Sequence, residues 1–128
     1  MELMKLEIIT PNGVIFDGDV TQVNLPGSEG EFGVLAGHST LVSLLDTGVI
    51  VYNRADGREV AVAINSGYVK VDEGKTTCIV DGAVALSGED THIAQAIEKA
   101  KKLLKSTQAS SASIASAVSK VEKIGKSF

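Results

Sequence analysis

Glycine is distributed unevenly along this chain of 128 residues, and that distribution limits the folds open to it. Of the 13 glycines, all except Gly125 lie at or before Gly88. Because glycine adopts positive φ without strain, it is common in tight turns, and it is costly inside helices. The chain therefore divides into a first part that turns often and a tail that does not.

In the first part, short runs of apolar residues alternate with polar or small ones. These runs recur at residues 4–8, 49–52, 60–64, 69–72, 76–80 and 84–86. They are separated by pairs that favour hairpin turns, at Asn12-Gly13, Asp17-Gly18, Asp56-Gly57, Glu73-Gly74 and Asp81-Gly82. Strands of this length and spacing are typical of an antiparallel sandwich or barrel, which we predict over residues 1–86.

After Leu86 the pattern becomes helical. Ser87-Gly88-Glu89-Asp90 has the spacing of a helix start, with Ser87 as the cap. Apolar residues then recur at helical spacing in two stripes, at Ile93, Ile97, Ala100 and Leu104, and at Ile114, Val118, Val121 and Ile124. Between the stripes, Ser106-Thr107-Gln108 interrupts the pattern. Residues 87–128 are therefore predicted to form a hairpin of two antiparallel helices.

The charge divides the chain at the same place. Residues 1–89 contain five Lys and Arg against 13 Asp and Glu, a net charge of −8, whereas residues 90–128 contain seven Lys against three acids, a net charge of +4. No aromatic residue interleaves with the lysines, so the tail is a poor candidate for binding nucleic acid and a better one for binding an acidic protein surface.

Cys78 is the only cysteine, which excludes an intrachain disulfide. The first residues do not resemble a signal peptide, and no apolar run is long enough to cross a bilayer.

One segment, residues 26–41, concentrates glycines, acids and a histidine, and this composition is compatible with several kinds of site. A phosphate loop fails because the spacing between Gly33 and Gly37 is too short and His38 stands where the lysine should be. Neighbouring residues of a strand point to opposite faces, so His38 is badly placed to activate Ser39. Glu29 and Glu31, two residues apart in an extended segment, would share one face without flanking a pocket. The histidines and Cys78 have no metal-ligand spacing. We therefore expect no catalytic, metal or cofactor site.

The same segment carries a resemblance to a known family. Residues 27–41, GSEGEFGVLAGHSTL, resemble the segment shared by epsilon subunits of bacterial F-type ATP synthases. Further similar stretches follow in collinear order: LEIITP at 6–11, FDG at 16–18, LDTG at 45–48, SGYVKV at 66–71 and TCIVDGA at 77–83. The resemblance covers nearly all of residues 1–105. It implies a β-sandwich of about ten strands followed by a two-helix hairpin, which agrees with the pattern of the residues.

The resemblance also implies a function. The chain would be a non-catalytic subunit of the central rotor, peripheral on the cytoplasmic side of the bacterial inner membrane and attached to it through other subunits. Its sandwich would bind the gamma subunit and the c-ring and help to couple proton-driven rotation to ATP synthesis. By carry-over, the interface residues are Glu29, Gly30, Glu31, Phe32, His38, Thr40 and Ser43.

The helical hairpin has a regulatory role in this family. The resemblance implies that it folds against the sandwich or extends toward the alpha and beta catalytic subunits, where it inhibits ATP hydrolysis. Lys120, Lys123 and Lys126 are the residues that would meet acidic groups there. Where relatives bind ATP, an aspartate and an arginine stand on the first helix; this chain has His92 and Gln95. Without the arginine, little would hold a phosphate, so no specific ATP site is expected. The alternative to a rotor subunit is a free-standing β-sandwich binding module with a basic helical arm.

Overall fold

The computed structural model describes residues 2–86, 93–105, 115 and 117–121. Within these residues the chain forms nine strands and one helix with defined bounds, and residues 115 and 117–121 are also helical. The elements are β1 (Met4–Thr10), β2 (Gly13–Gly27), β3 (Gly30–Leu35), β4 (Leu41–Leu45), β5 (Gly48–Arg54), β6 (Glu59–Ile64), β7 (Gly67–Asp72), β8 (Lys75–Val80), β9 (Ala83–Leu86) and α1 (Ile93–Lys105).

The long strand β2 joins the two layers of a sandwich. Its first half pairs with β1, and its second half pairs with β3 and β5. The strands follow the order β1-β8-β7-β4-β2-β5-β6-β9, with β3 beside β2. One layer therefore contains β1, β8, β7 and β4, and the other contains β3, β5, β6 and β9. The predicted β-sandwich is confirmed. It departs from the antiparallel prediction at one pair, because β1 and β8 run parallel.

The predicted alternation places one large core between the layers. Leu6 and Ile8 of β1, Val20 and Val23 of β2, and Val62 of β6 are completely buried there. Burying side chains of this size contributes about 1.5–3 kcal/mol each. The period-two pattern identified Leu6, Ile8 and Val62, whereas Val20 and Val23 lie in no predicted run and are three residues apart, across an irregularity in β2.

The predicted turn at Asp17-Gly18 is wrong, because both residues lie inside β2, in its first half. Asp17 pairs with Glu7 and Gly18 pairs with Leu6 of β1. The aromatic ring of Phe16 explains the glycine. A Cβ on Gly18 would lie 2.9 Å from Cζ of that ring. Gly18 therefore provides room for a neighbouring side chain inside the strand and does not form a bend.

Strand β6 has a different role on each of its faces. Val60, Val62 and Ile64 point into the sandwich core, whereas Ala61 and Ala63 belong to a second apolar cluster outside it. The other buried members of this cluster are Val49 of β5, Leu86 of β9, Ala100 and Leu104 of α1, and Ala117 and Val121 of the second helical stretch. Small alanine side chains allow the helices to approach the sheet closely. The helices thus cover the outer face of β5, β6 and β9.

Several predicted features of the tail lie outside the described residues. These are the helix start at Ser87 and Asp90, the interruption at 106–108, Ile114, Ile124 and the substituted position His92. The connection between the two helical stretches also lies there, so the antiparallel hairpin stays a prediction. The division of the chain into residues 1–86 and 87–128 likewise stays a prediction.

Candidate docking interface

The glycine-rich segment begins as a tight hairpin between β2 and β3. Ser28 and Glu29 form its turn, and Gly27 pairs with Gly30. Gly30 has a φ of 133°, which favours glycine, and a Cβ on Gly27 would lie 2.7 Å from the carbonyl oxygen of Gly30. Glu29 is in the turn and Glu31 is in β3, so the expectation that both acids share one face of an extended segment is wrong.

Backbone hydrogen bonds fix this hairpin to the neighbouring β4–β5 connection. The amide of Ser28 donates to the carbonyl of Leu44 at 3.0 Å, and the amide of Asp46 donates to the carbonyl of Pro26 at 2.9 Å. Gly48 packs under Pro26, where a Cβ would lie 2.6 Å from the Cβ of the proline. The exposed tip of the hairpin is therefore held on a rigid base, as a docking loop requires.

Two open grooves flank the hairpin. One has a volume of about 570 Å³ and separates the hairpin from β4; Glu29, Gly30, Glu31, Phe32 and Ser43 line it. The second has a volume of about 380 Å³ and separates the hairpin from the helical arm, with Ala117 and Lys120 on its far side. The structure thus brings five of the seven predicted interface residues to one groove. Glu31 borders both grooves.

Glu31 and Lys120, which the family resemblance assigns to two different interfaces, are in contact with each other. Nζ of Lys120 donates to Oε2 of Glu31 at 2.6 Å, although 89 positions of sequence separate them. The side chain of Lys120 remains 43% exposed and that of Glu31 remains 53% exposed. Lys123 and Lys126, the other two predicted contacts of the arm, lie outside the described residues.

His38 and Thr40 lie in the connection between β3 and β4 and do not line the groove beside the hairpin. The amide of His38 donates to the carbonyl of Leu35 at 3.1 Å. Its ring Nδ1 lies 2.7 Å from the carbonyl oxygen of Ser39, which can only accept a hydrogen bond. The imidazole is therefore bonded to the backbone beside the serine hydroxyl, and this arrangement does not activate a nucleophile.

The outer face of the other layer carries an apolar surface that the sequence reasoning missed. Leu44 of β4 pairs with Tyr68 of β7, and Tyr68 pairs with Ile79 of β8, so the three side chains form one row. They are 67%, 43% and 38% exposed, and Val42, on the same face of β4, is 66% exposed. We call Val42, Leu44, Tyr68 and Ile79 the apolar row. The signal was present in the sequence, because Val42 and Leu44 occupy positions where an exposed strand usually has polar residues.

The titratable groups of the core are removed from these surfaces. Burial raises the pKa of the Cys78 thiol to about 12, and it raises the pKa of Tyr52 to about 12, with Arg54 opposing the shift. Both groups are neutral near pH 7, and a neutral thiol is a weak nucleophile. On the surface, a hydrogen bond to Glu7 raises the pKa of Lys75. Among the described residues, no group of three acids, histidines or cysteines is arranged to hold a metal ion.

Comparison with known proteins gives a consistent result. The family model described as the β-sandwich domain of the ATP synthase delta/epsilon chain matches residues 3–86. The ATP synthase epsilon chain of a Sulfurovum species is 79% identical over all 128 residues and over its own full length. The ATP synthase epsilon chain of Aliarcobacter butzleri is 57% identical over 109 residues, which cover 84% of this chain and 86% of the relative.

Solved structures support the fold. A chain in the cryo-EM structure of the Euglena gracilis mitochondrial ATP synthase, which contains OSCP, F1 and the c-ring, aligns with a TM-score of 0.63 at 22% identity. This alignment covers 95% of the present chain and 74% of the other. A chain of the central stalk and c-ring of the Tetrahymena thermophila mitochondrial enzyme aligns with a TM-score of 0.53 at 15% identity and covers 98% and 96% of the two chains. At these identities the likeness concerns the fold.

Proposed function

The chain belongs to the epsilon-chain family of bacterial F-type ATP synthases, and on this premise we propose that its sandwich joins the gamma subunit to the c-ring. As a member of that family it is a non-catalytic subunit of the rotor. The observation that carries the docking proposal is the presence of two different surfaces on one rigid body: a polar hairpin with acids at its tip, and the exposed apolar row beside it.

The apolar row is the proposed contact for the gamma subunit. A soluble protein rarely leaves neighbouring large apolar side chains exposed unless a partner covers them. Leu44, Tyr68 and Ile79 lie side by side on paired strands, so a partner could cover them together. Since the helices already cover the opposite outer face, the sandwich can be held from the side of β4, β7 and β8 without moving the arm.

The β2–β3 hairpin is the proposed contact for the c-ring. Glu29, Gly30, Glu31 and Phe32 form its exposed end, and Ser43 lies across the groove. His38 and Thr40 follow β3 at its end away from the hairpin tip, and we carry them over to the gamma and ring interface by the family resemblance. Through these two contacts the subunit would transmit torque between ring and stalk, and so couple proton-driven rotation to ATP synthesis.

The helical arm, residues 87–128, is the proposed regulatory element. In the described residues it lies against the sandwich, with Val121 and Leu104 completely buried. We propose that it can also extend toward the catalytic subunits, where Lys120, Lys123 and Lys126 would meet acidic residues and slow ATP hydrolysis. We place the complex on the cytoplasmic face of the bacterial inner membrane. Among the described residues, no helix is long and apolar enough to cross a membrane.

Reconstitution of the synthase without this chain tests both parts of the proposal. Adding the full chain back should restore coupled ATP synthesis, and the chain should be recovered with gamma and the c-ring. Adding a chain truncated after Ser87 should restore coupling and raise ATP hydrolysis relative to the full chain. Recovery without gamma would refute the docking proposal. Unchanged hydrolysis would refute only the inhibitory role of the arm.

A further inference from the structure

We propose that the ion pair between Glu31 and Lys120 is a latch through which docking at the β2–β3 hairpin releases the helical arm. The proposal rests on the proposed contact between that hairpin and the c-ring. Glu31 is on the docking hairpin, Lys120 is on the arm, and their charged atoms are 2.6 Å apart. A partner that binds the Glu31 carboxylate therefore weakens the interaction that holds Lys120, and a partner that binds Lys120 weakens the interaction that holds Glu31.

Lys120 contacts the hairpin from the edge of the apolar contact between the arm and the sheet, which we call the apolar seat. Ala117 and Val121, four residues apart, face the sheet, and both are buried. Lys120 precedes Val121 and reaches past the seat to the hairpin across the groove of about 380 Å³. The apolar seat supplies most of the attachment, because an exposed ion pair contributes little. A weak ion pair of this kind therefore shifts the equilibrium between the attached and the released arm but does not by itself hold the arm closed.

The position of Glu31 lets a partner reach it from the side opposite Lys120. Glu31 borders the groove beside β4 as well as the groove beside the arm. A cationic side chain that entered the β4 groove would compete for the carboxylate and repel the Lys120 ammonium. Docking and arm closure would then oppose each other. By linkage, closing the arm weakens docking by the same factor by which docking loosens the arm, and for an exposed pair we expect that factor to be about two to five.

Hydrogen exchange of the isolated full chain tests the latch without any partner. The probes are the amides of residues 117–121. Glu31→Gln and Lys120→Gln should each increase local opening about two- to five-fold, and the double variant should open no more than either single one. Glu31→Lys should open the arm further, and adding Lys120→Glu should restore closure. The matched controls are Glu29→Gln and Lys105→Gln, since neither residue forms an ion pair with another described residue. Equal exchange in all variants would overturn the latch.

Binding to a gamma–c-ring subcomplex that lacks the catalytic subunits tests the coupling. There Lys120 has no second proposed partner. Lys120→Gln should bind about two- to five-fold more tightly than the unmodified chain, because the competitor for Glu31 is gone. Glu31→Gln should bind more weakly, and Lys105→Gln should match the unmodified chain. If Lys120→Gln and Lys105→Gln bind alike, the coupling is wrong. If the unmodified chain does not bind the subcomplex at all, the proposed docking fails, while the exchange experiment still decides whether the latch exists.

Discussion

The rings of Phe16 and Tyr52 lie with their centroids 4.4 Å apart and their planes tilted by 32°. Phe16 belongs to the first half of β2, and Tyr52 belongs to β5, which pairs with the second half of that strand. The contact therefore packs the point at which β2 passes from one layer to the other. Tyr52 is only 4% exposed, and its buried position raises its pKa to about 12.

We expect the protein to lose stability in alkali because Tyr52 and Cys78 stay protonated longer in the folded chain than in the unfolded one. Their pKa values rise to about 12 from ordinary values of 10.0 and 9.0. Their stabilisation is complete below pH 9 and is lost as the pH rises toward 12. Tyr52 alone should account for about 1–2.5 kcal/mol of that loss. Urea unfolding between pH 8 and 11 measures it, and Tyr52→Phe should flatten the decline above pH 10. A variant that declines as steeply as the unmodified chain would contradict this assignment.

Gly67→Ala should destabilise the sandwich strongly. Gly67 lies against the backbone carbonyl of Ile79, and a Cβ there would also lie 2.7 Å from Cα of Val80. Backbone atoms of a paired strand cannot move aside cheaply, so we expect a loss of about 2–4 kcal/mol. Gly74→Ala is the matched control, since its φ of 77° is strained for alanine but its Cβ would meet nothing within 4 Å. It should cost about 1 kcal/mol. Thermal unfolding compares the two, and equal losses would show that the close approach is not what requires Gly67.

Leu44→Lys should weaken binding to gamma and leave the fold intact. Leu44 is 67% exposed, so its replacement should change the free energy of unfolding by less than about 0.5 kcal/mol. Loss of its burial in the interface should lower the affinity for gamma about tenfold or more. Val14→Lys is the control, because Val14 is 60% exposed but lies outside the apolar row. Titration of purified gamma measures both, and similar affinities for the two variants would remove the row from the interface.

Leu104→Ala should loosen the arm and spare the sandwich. Leu104 is completely buried in the cluster outside the sandwich, so truncating it should cost about 2–5 kcal/mol of arm attachment. Hydrogen exchange should therefore accelerate at residues 97–105 and stay slow in β1 and β2. Leu6→Ala, which removes an equally buried side chain from the inner core, should accelerate exchange throughout the sandwich instead. Uniform acceleration in Leu104→Ala would mean that the arm and the sandwich unfold as one unit.

The residues of the core could be identified from the sequence because burial inside a sheet leaves a period of two. This period identifies Val60, Val62 and Ile64 as core residues. Helical spacing likewise identifies the stripe that contains Ala100 and Leu104. The sequence predicts a turn at Gly18 because an Asp-Gly pair is common in turns. The need to accommodate the Phe16 ring, which explains the glycine, is visible only in three dimensions. The parallel pairing of β1 with β8 joins distant segments and leaves no local signature.

The candidate site was only half predictable, for a similar reason. The family resemblance points to the segment Glu29–Phe32, and the glycines of that segment indicate a turn. The contact between Glu31 and Lys120 joins two exposed charges across 89 positions, and surface charges follow no periodic rule that sequence could reveal. The apolar row was recoverable from Val42 and Leu44, but its extension through Tyr68 to Ile79 depends on which strands are neighbours.

The alternation of valine and alanine along β6 has a consequence for solubility. Ala61 and Ala63 occupy the middle strand of the face beneath the arm, where a methyl group is all that each side chain presents. Wide, flat patches of leucine, isoleucine and phenylalanine are what make a transiently uncovered sheet associate with other copies. With alanines at its centre, between Val49 of β5 and Leu86 of β9, this face would expose less apolar side chain to a neighbouring copy if the proposed extension uncovered it. If the arm extends as proposed, the composition of β6 would therefore limit association between the uncovered sheets of two copies.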